Sequence, residues 1–513
     1  MPRSDNSKIR RLVIQNHHMG HIPEETMDMP EVLRSLNFVS SKVENMVPLH
    51  SFRVCRVLRI QQSNVLINLN HLGRLLHLKY LDISYTPIDD LPKEIGHLKS
   101  LLALQLIETG LATLPPAICL LTQLLCLNAT GFLNLPVDKI GKLTSLEELQ
   151  LKNVVGRDAT KDLVVELGKL TRLRVIVIKY PGKLGESLQK LLVQSLCNLG
   201  ELQQLIVYSK NFSLGATIWE TWEPPRKLRR LLIQGIELLR LPGWINSFRL
   251  PHIYFISLRV HIVRIQDLDN LGRLPELSYL QLGGYSWPPG YTVDIGGFKN
   301  LKTFHVGTAL KFHTGAMPRL EVLLFTVYAG LGCFEVNGVP FKQLPTKDII
   351  GDLDFSLDNL LSLDQVTIVI NCTNASATEV QEVEAVVSRV VEDHPNHPTI
   401  EVHRIYEEHM CRVEKLKADR IIGVLLWKDE SDANFTRLLW PYRCLQKAVF
   451  FINCAGANMC EVEKVEAALT HAAEVHPNHP TIQLIKKNTE EMISSSDHPG
   501  TGVAFCTELF PYS

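Results

Sequence analysis

Residues 77–119 read "HLKYLDISYTPIDDLPKEIGHLKSLLALQLIETGLATLPPAIC" and carry one pattern twice. Leu78, Leu81 and Ile83 follow an L-x-x-L-x-L spacing, and Leu101, Leu104 and Leu106 repeat it 23 residues later. Working outward, further copies begin at Leu124, Leu146, Leu173, Leu202, Leu228, Ile253, Leu277, Leu301 and Leu320, with weaker ones at Ile9, Leu33 and Cys55. The total is 14 copies with gaps of 19 to 29 residues. Alternation at x-L-x-L-x predicts a short strand with one apolar face, because successive side chains point to opposite sides. One such unit cannot bury its face alone, whereas stacked units share a continuous core. A helix would need apolar residues at i, i+3, i+4 and i+7 without the Leu-Pro punctuation seen at 91–92, 114–115 and 135–136.

This spacing is that of a leucine-rich repeat. The expected fold class is α/β: a leucine-rich-repeat solenoid with a curved parallel sheet on its concave face, spanning residues 1–345 in about 14 repeats. An end repeat exposes its core. The eight residues before Ile9 are too few to cap it, so an upstream domain, a partner or partial disorder is expected there.

Beyond about Leu344 the spacing breaks. "QVTIVINC" (365–372) reads as a β-branched strand, "ATEVQEVEAVVSRVVED" (377–393) as an amphipathic helix with Thr378 and Gln381 at capping-box spacing, and "TIEVHRI" as a second strand. The same order returns 82 residues later in "AVFFINC" (448–454), "CEVEKVEAALTHAAEV" (460–475) and "TIQLIKK". The chain therefore divides into the array at 1–345, a first strand–helix–strand unit at 346–410, a connector at 411–444, a duplicated unit at 445–492 and a tail at 493–513.

The duplication includes an identical heptapeptide, HPNHPTI, at His394–Ile400 and His476–Ile482. His394, His397, His476 and His479 give H-x-x-H twice, which raises zinc. The prolines hold each segment extended, and no carboxylate or thiol recurs at regular spacing beside it. The motif reads as a helix-to-strand turn. No metal and no cofactor is expected.

Lys+Arg 53 against Asp+Glu 54 leaves a net charge of −1, so no large field steers the chain to nucleic acid or an anionic membrane. The longest apolar run, "IIGVLLW" at 421–427, is far short of a membrane span. No secretory signal opens the chain, and its 11 cysteines lack C-x-x-C pairs, which fits a cytoplasmic protein with free thiols. No H-E-x-x-H, G-x-S-x-G or EF-hand pattern occurs, so the sequence gives no reason to expect an enzyme.

The segment "HLKYLDISYTPIDDLPKEIGHLKSLLALQL", together with the closing "INC…EVEAV…HPNHPTI" pattern, resembles plant intracellular immune receptors of the nucleotide-binding leucine-rich-repeat class. The likeness is to the repeat region of the coiled-coil type found in grasses. It implies a non-catalytic recognition module in defence, binding a pathogen effector, a host protein or an upstream receptor domain. The family's G-x-x-x-x-G-K-[ST] phosphate loop is absent, so no residue takes its nucleotide-binding role. A general intracellular scaffold or adaptor, or a truncated remnant without function, remains the alternative reading.

Core leucines are occupied with packing, so binding is expected on the outward positions of the concave sheet and the adjoining loops. The register offers Tyr80, Tyr85, Glu108, Glu148, Lys152, Lys179, Tyr180, Tyr208, Arg230, Gln234, Phe255, Arg259 and Tyr279, with Tyr285 and Trp287 from the loop "GGYSWPPGY" (283–291). Tyrosine and arginine are frequent interface anchors. From Tyr180 to Tyr279 they are interleaved with Val175, Val177, Ile206 and Leu232. Such a contiguous apolar and aromatic patch suggests a partner surface.

Overall fold

The computed structural model describes residues 10–15, 32–39, 49–343, 346, 355–410, 420–425, 447–453, 459–475, 479 and 481–487, apart from 63–68, 89, 134–136, 155–156, 216, 289, 331, 337–338 and 393. The expected repeat start at Ile9, the Leu-Pro pair at 135–136, most of the 411–444 connector and the 493–513 tail lie outside the described residues. The chain divides into two compact units, Met1–Asn371 with Glu382–Ile405, and Cys372–Gln381 with Tyr406–Ser513.

Each expected repeat supplies one strand. These are β1 (Arg11–Gln15), β2 (Ser35–Val39), β3 (Val57–Gln61), β4 (Tyr80–Asp82), β5 (Ala103–Leu106), β6 (Cys126–Leu133), β7 (Glu148–Val154), β8 (Val175–Lys183), β9 (Gln204–Leu214), β10 (Arg230–Arg240), β11 (Phe255–Ile262) and β12 (Tyr279–Ser286). After the short β13 (Thr292–Val293) come β14 (Thr303–Val306), β15 (Lys311–Phe312) and β16 (Val322–Tyr328). An antiparallel hairpin follows, β17 (Gly332–Val336) with β18 (Val339–Gln343). Then come β19 (Gln365–Asn371) and β20 (Thr399–Ile405).

Sixteen of these strands form one parallel sheet, with β13 and β15 paired separately. The sheet does not stop at the break near Leu344: β16 pairs β19, and β19 pairs β20. Leu363, Val366 and Ile368 keep the L-x-x-L-x-L positions with β-branched residues, and all three are buried. Leu81, Leu104, Leu127, Leu149, Ile176, Leu205, Leu231, Ile256 and Leu280 stack strand by strand behind the sheet with no exposure. Burying each is worth about 1.5–3 kcal/mol.

Repeat length decides what returns the chain behind the sheet. In the 23-residue repeats, Pro92 and Pro115 cap single 3-10 turns at Lys93–His97 and Pro116–Leu120. The repeats starting at Leu146 and Leu173 are longer, and fit the eleven-residue helices α1 (Arg157–Leu167) and α2 (Glu186–Leu196). A short α3 (Ile218–Thr221) and α4 (Ile265–Gly272) follow. Gln189 of α2, fully buried, donates to the Leu184 and Leu214 carbonyls and accepts from the Trp219 indole N–H. Trp219, Trp222 and Trp244 pack edge to face beyond it.

Helix α5 (Ala377–Glu392) begins one residue after its cap. Ser376 accepts from the Glu379 N–H at 3.2 Å, and Glu379 accepts from the Ser376 N–H at 2.9 Å. The capping box therefore lies at Ser376 and Glu379, not at Thr378 and Gln381. The helix starts earlier than that spacing implied, which places Thr378 inside the first turn. The duplicated copy gives β22 (Lys447–Asn453), α6 (Met459–Val475) and β23 (Thr481–Lys487), with β21 (Arg420–Leu425) completing a three-stranded parallel sheet.

The first heptapeptide is a turn built around its histidine. His394 is buried, its Nε2 lies 2.9 Å from the Leu357 carbonyl, and its Nδ1 accepts from the Asn396 N–H at 3.1 Å. Both ring nitrogens are thereby engaged, and His397 adopts a left-handed φ of 46°. His479 has a φ of 42° at the matching place, so the two copies share that backbone feature. His476–Asn478 lie outside the described residues.

Candidate functional site

Because adjacent strands pair in register, their outward side chains line up in rows across the sheet. The first row is Glu148, Val175, Gln204, Arg230, Phe255 and Tyr279; the second is Gln150, Val177, Ile206, Leu232, Ser257 and Gln281. The third runs Lys152, Lys179, Tyr208 and Gln234.

The centre of this face is apolar. Val177, Ile206 and Leu232 form a cluster, with Val175, Tyr208 and Phe255 packed against it. The three central residues are only 8% exposed although they point away from the leucine core. Beside them Phe255 and Tyr279 stack face to face, and the Arg230 guanidinium lies 4.3 Å from the Phe255 ring centroid. His305 meets Tyr279 edge on at 5.4 Å. Burial holds the His305 imidazole below its ordinary value. Burial also raises the Tyr279 phenol, with Arg230 opposing. Both groups are therefore neutral near pH 7 and serve as aromatic surface.

Beyond the apolar centre the strands carry a buried polar knot. Gly235 adopts a φ of +85° and marks a bulge in β10, where the register with β9 shifts after Gln234. Past it, Glu237 is 1% exposed, accepts from the Tyr285 hydroxyl at 2.9 Å, and lies 3.5 Å from Arg259 Nε and 3.3 Å from His261 Nε2. Burial lowers the His261 imidazole, outweighing the attraction of Glu237. Arg259 is framed by the rings of Phe212 at 5.1 Å and Tyr285 at 5.6 Å.

Toward β4 the face is polar. Asp82 is buried and accepts from Gln61, Tyr80 and Ser84, with Arg59 Nε at 3.3 Å. Tyr85 and Glu108 follow their strands in left-handed conformations, and both are exposed. Glu108 N–H donates to Thr130 Oγ1. Glu148 accepts from Gln150. The Cys126 thiol is pushed up to about 12 by burial and by Glu148, so it is no nucleophile near neutral pH.

The structure thus brings Tyr208, Arg230, Phe255 and Tyr279 into one patch, and Arg259 and Tyr285 into the neighbouring knot. Tyr80 on β4, and Tyr85 and Glu108 just after β4 and β5, stand apart, with β6 and β7 between them and the patch. Lys152 is half-buried, whereas Lys179 and Gln234 are exposed. Trp287 donates its indole N–H to the Gly284 carbonyl, so its polar end is used within its own loop. Tyr180 is a correction: it is 8% exposed. Lys179 already takes the outward position, so strict alternation turns the next residue inward. Glu237, His261 and Phe212 were not singled out in the sequence. The signal available was Gly235, since glycine inside a strand often marks a bulge.

Among the described residues, no group of three or more His, Cys, Asp or Glu side chains could hold a metal ion, and no helix is long and apolar enough to cross a membrane. The model of the leucine-rich repeat region family matches residues 32–400. The chain is 30% identical over 272 residues to the disease resistance protein RGA5 of Oryza sativa subsp. japonica, covering 50% of this chain and 24% of that protein. It is 28% identical over 407 residues to the disease resistance protein Pik-2 of the same organism, covering 68% of this chain and 39% of that one. The chain therefore spans well under half the length of either relative. A solved leucine-rich-repeat protein of Leptospira interrogans superposes with a TM-score of 0.49 at 16% identity, covering 77% of this chain and 96% of the other. With a family match that takes in most of its length and a repeat on each of the fourteen large-sheet strands up to β16, the chain belongs to the leucine-rich repeat family.

Proposed function

We propose that this chain is a non-catalytic protein-recognition module acting in plant defence inside the cell, and that it binds its partner on the outward face of β8–β12. The observation that carries this reading is the apolar cluster of Val177, Ile206 and Leu232 on the side of the sheet away from the leucine core, walled by Val175, Tyr208 and Phe255. Folding of the repeat does not call for apolar side chains at those outward positions, which are polar on β4 and β5. Rigid aromatic side chains beside a desolvated centre are the usual make-up of an interface hot spot. The likeness to RGA5 and Pik-2 over the repeat region supports the defence context.

The test is affinity purification of the full chain from leaf tissue before and after pathogen challenge. A Leu232→Asp variant and a Phe248→Asp control, whose side chain is 72% exposed away from this patch, are compared with the wild type. A protein retained by wild type and control but lost by Leu232→Asp, with all three chains equally folded, is the expected result. Identical recovery by all three would refute the assignment.

A further inference from the structure

We infer that the ligand of this face is an acidic peptide segment with apolar anchors, lying across the strands with its carboxylates over the third row of side chains. The inference rests on the recognition reading above and adds the chemistry of the partner. Lys152 and Lys179 are paired residues on adjacent strands and share the outward face. Neighbouring strands lie about 4.8 Å apart, and like charges directly opposite one another are destabilising. No carboxylate of the described residues pairs with either lysine. Lys210 stands two residues beyond Tyr208 along β9, outside that row, is exposed, and likewise has no ion pair among the described residues. The nearest acid on β7, Glu148, stands four residues away along the strand, about 13 Å; Glu108 is bonded to Thr130, the strand partner of Lys152, and makes no ion pair with that lysine; and Glu237 is occupied by Tyr285, Arg259 and His261.

The fold therefore keeps unneutralised cations along one side of an apolar strip in a chain whose net charge is only −1. An anionic ligand would remove their mutual repulsion. The strip itself selects a peptide over a bare polyanion. From β8 to β11 it is about 14 Å wide, which accommodates roughly four extended residues, and its Val, Ile, Leu and Phe side chains suit aliphatic or aromatic anchors. Charge complementarity beside such a strip sets specificity and association rate more than raw affinity.

The test uses the full chain and an array of peptides about nine residues long, with leucine or phenylalanine at alternate positions and glutamate, glutamine or lysine between them. Binding is measured by fluorescence polarisation at low and high salt. Wild type is expected to prefer the glutamate series to the glutamine series by about tenfold, with the preference shrinking as salt rises. A Lys152→Glu/Lys179→Glu double variant is expected to lose that preference, while Leu232→Asp loses binding to every series. Both variants change outward positions, and thermal melts check that they fold. Binding of all three series with no charge preference overturns this inference and leaves the recognition face standing. Binding of no peptide overturns both readings. Tighter binding of a single-stranded oligonucleotide than of any glutamate peptide overturns it in favour of nucleic acid.

Discussion

Phe255 and Tyr279, directly paired on adjacent strands, stack with ring centroids 4.1 Å apart and planes within 4°. Arg230 covers the free face of Phe255, and His305 meets Tyr279 from its other side. Four consecutive strands of the sheet thus present one aromatic–cation ladder to solvent.

Such a ladder adds a small, measurable coupling. Phe255→Ala and Tyr279→Ala are each expected to cost about 1–3 kcal/mol, and the double-mutant cycle should return about 0.5–1.5 kcal/mol of interaction energy. Urea unfolding of the full chain reads this. A coupling of zero would mean that the rings are neighbours only.

Two glycines with positive φ should respond differently to the same change. A Cβ on Gly235 would sit 2.2 Å from the Ser209 carbonyl oxygen, whereas one on Gly110 meets nothing within 4 Å. Gly110→Ala is expected to cost about 1 kcal/mol, the strain of the left-handed backbone alone. Gly235→Ala adds a backbone collision, should cost about 3 kcal/mol or more, and should disturb the Glu237 knot. Equal melting temperatures for the two variants would contradict the placement of the β10 bulge.

Gln189 satisfies two carbonyls and one indole behind the site. Gln189→Leu keeps the volume but leaves all three without their partner, and should cost about 2–4 kcal/mol. Unchanged stability in chemical denaturation would show that those groups do not depend on it.

His305 supplies a pH signature. Burial lowers its folded value below the ordinary 6.5, so the fold favours the neutral ring. Its contribution is fully present above 6.5 and is lost as pH falls through that value toward the lowered one. Wild type should therefore lose stability relative to His305→Gln as pH falls below about 6.5. A pH-independent difference between the two would refute this. His261 shifts the same way and adds to the acid sensitivity of both proteins.

Most of the fold was legible because the repeat writes its core in one residue type at one spacing. Leu81 and Leu104 announce β4 and β5 without any tertiary information. The patch was legible for a related reason, since Ile206 and Leu232 are apolar where the alternation demands an outward residue. What could not be read depends on backbone geometry. Alternation past Lys179 decides that Tyr180 is buried, and a single left-handed glycine decides that Glu237 comes out on the face of Arg259, where simple alternation would have turned it inward. The extension of the sheet through β19 and β20 was hidden because valine and isoleucine replace leucine at Val366, Ile368 and Ile400, and because the hairpin at 332–343 interrupts the period. The capping box was misplaced by two residues, since Ser376–Glu379 and Thr378–Gln381 carry the same spacing.

The most direct measurement is site-specific photocrosslinking in leaf cells, with benzoylphenylalanine placed at Tyr208, at Phe255 or at Phe248 of the full chain. The account predicts adducts of one shared protein partner from Tyr208 and Phe255 and none from Phe248, which is exposed away from the patch. Adducts from Phe248 alone, or none from the two patch positions, would contradict the claim that the outward face of β8–β12 is where this chain recognises its partner.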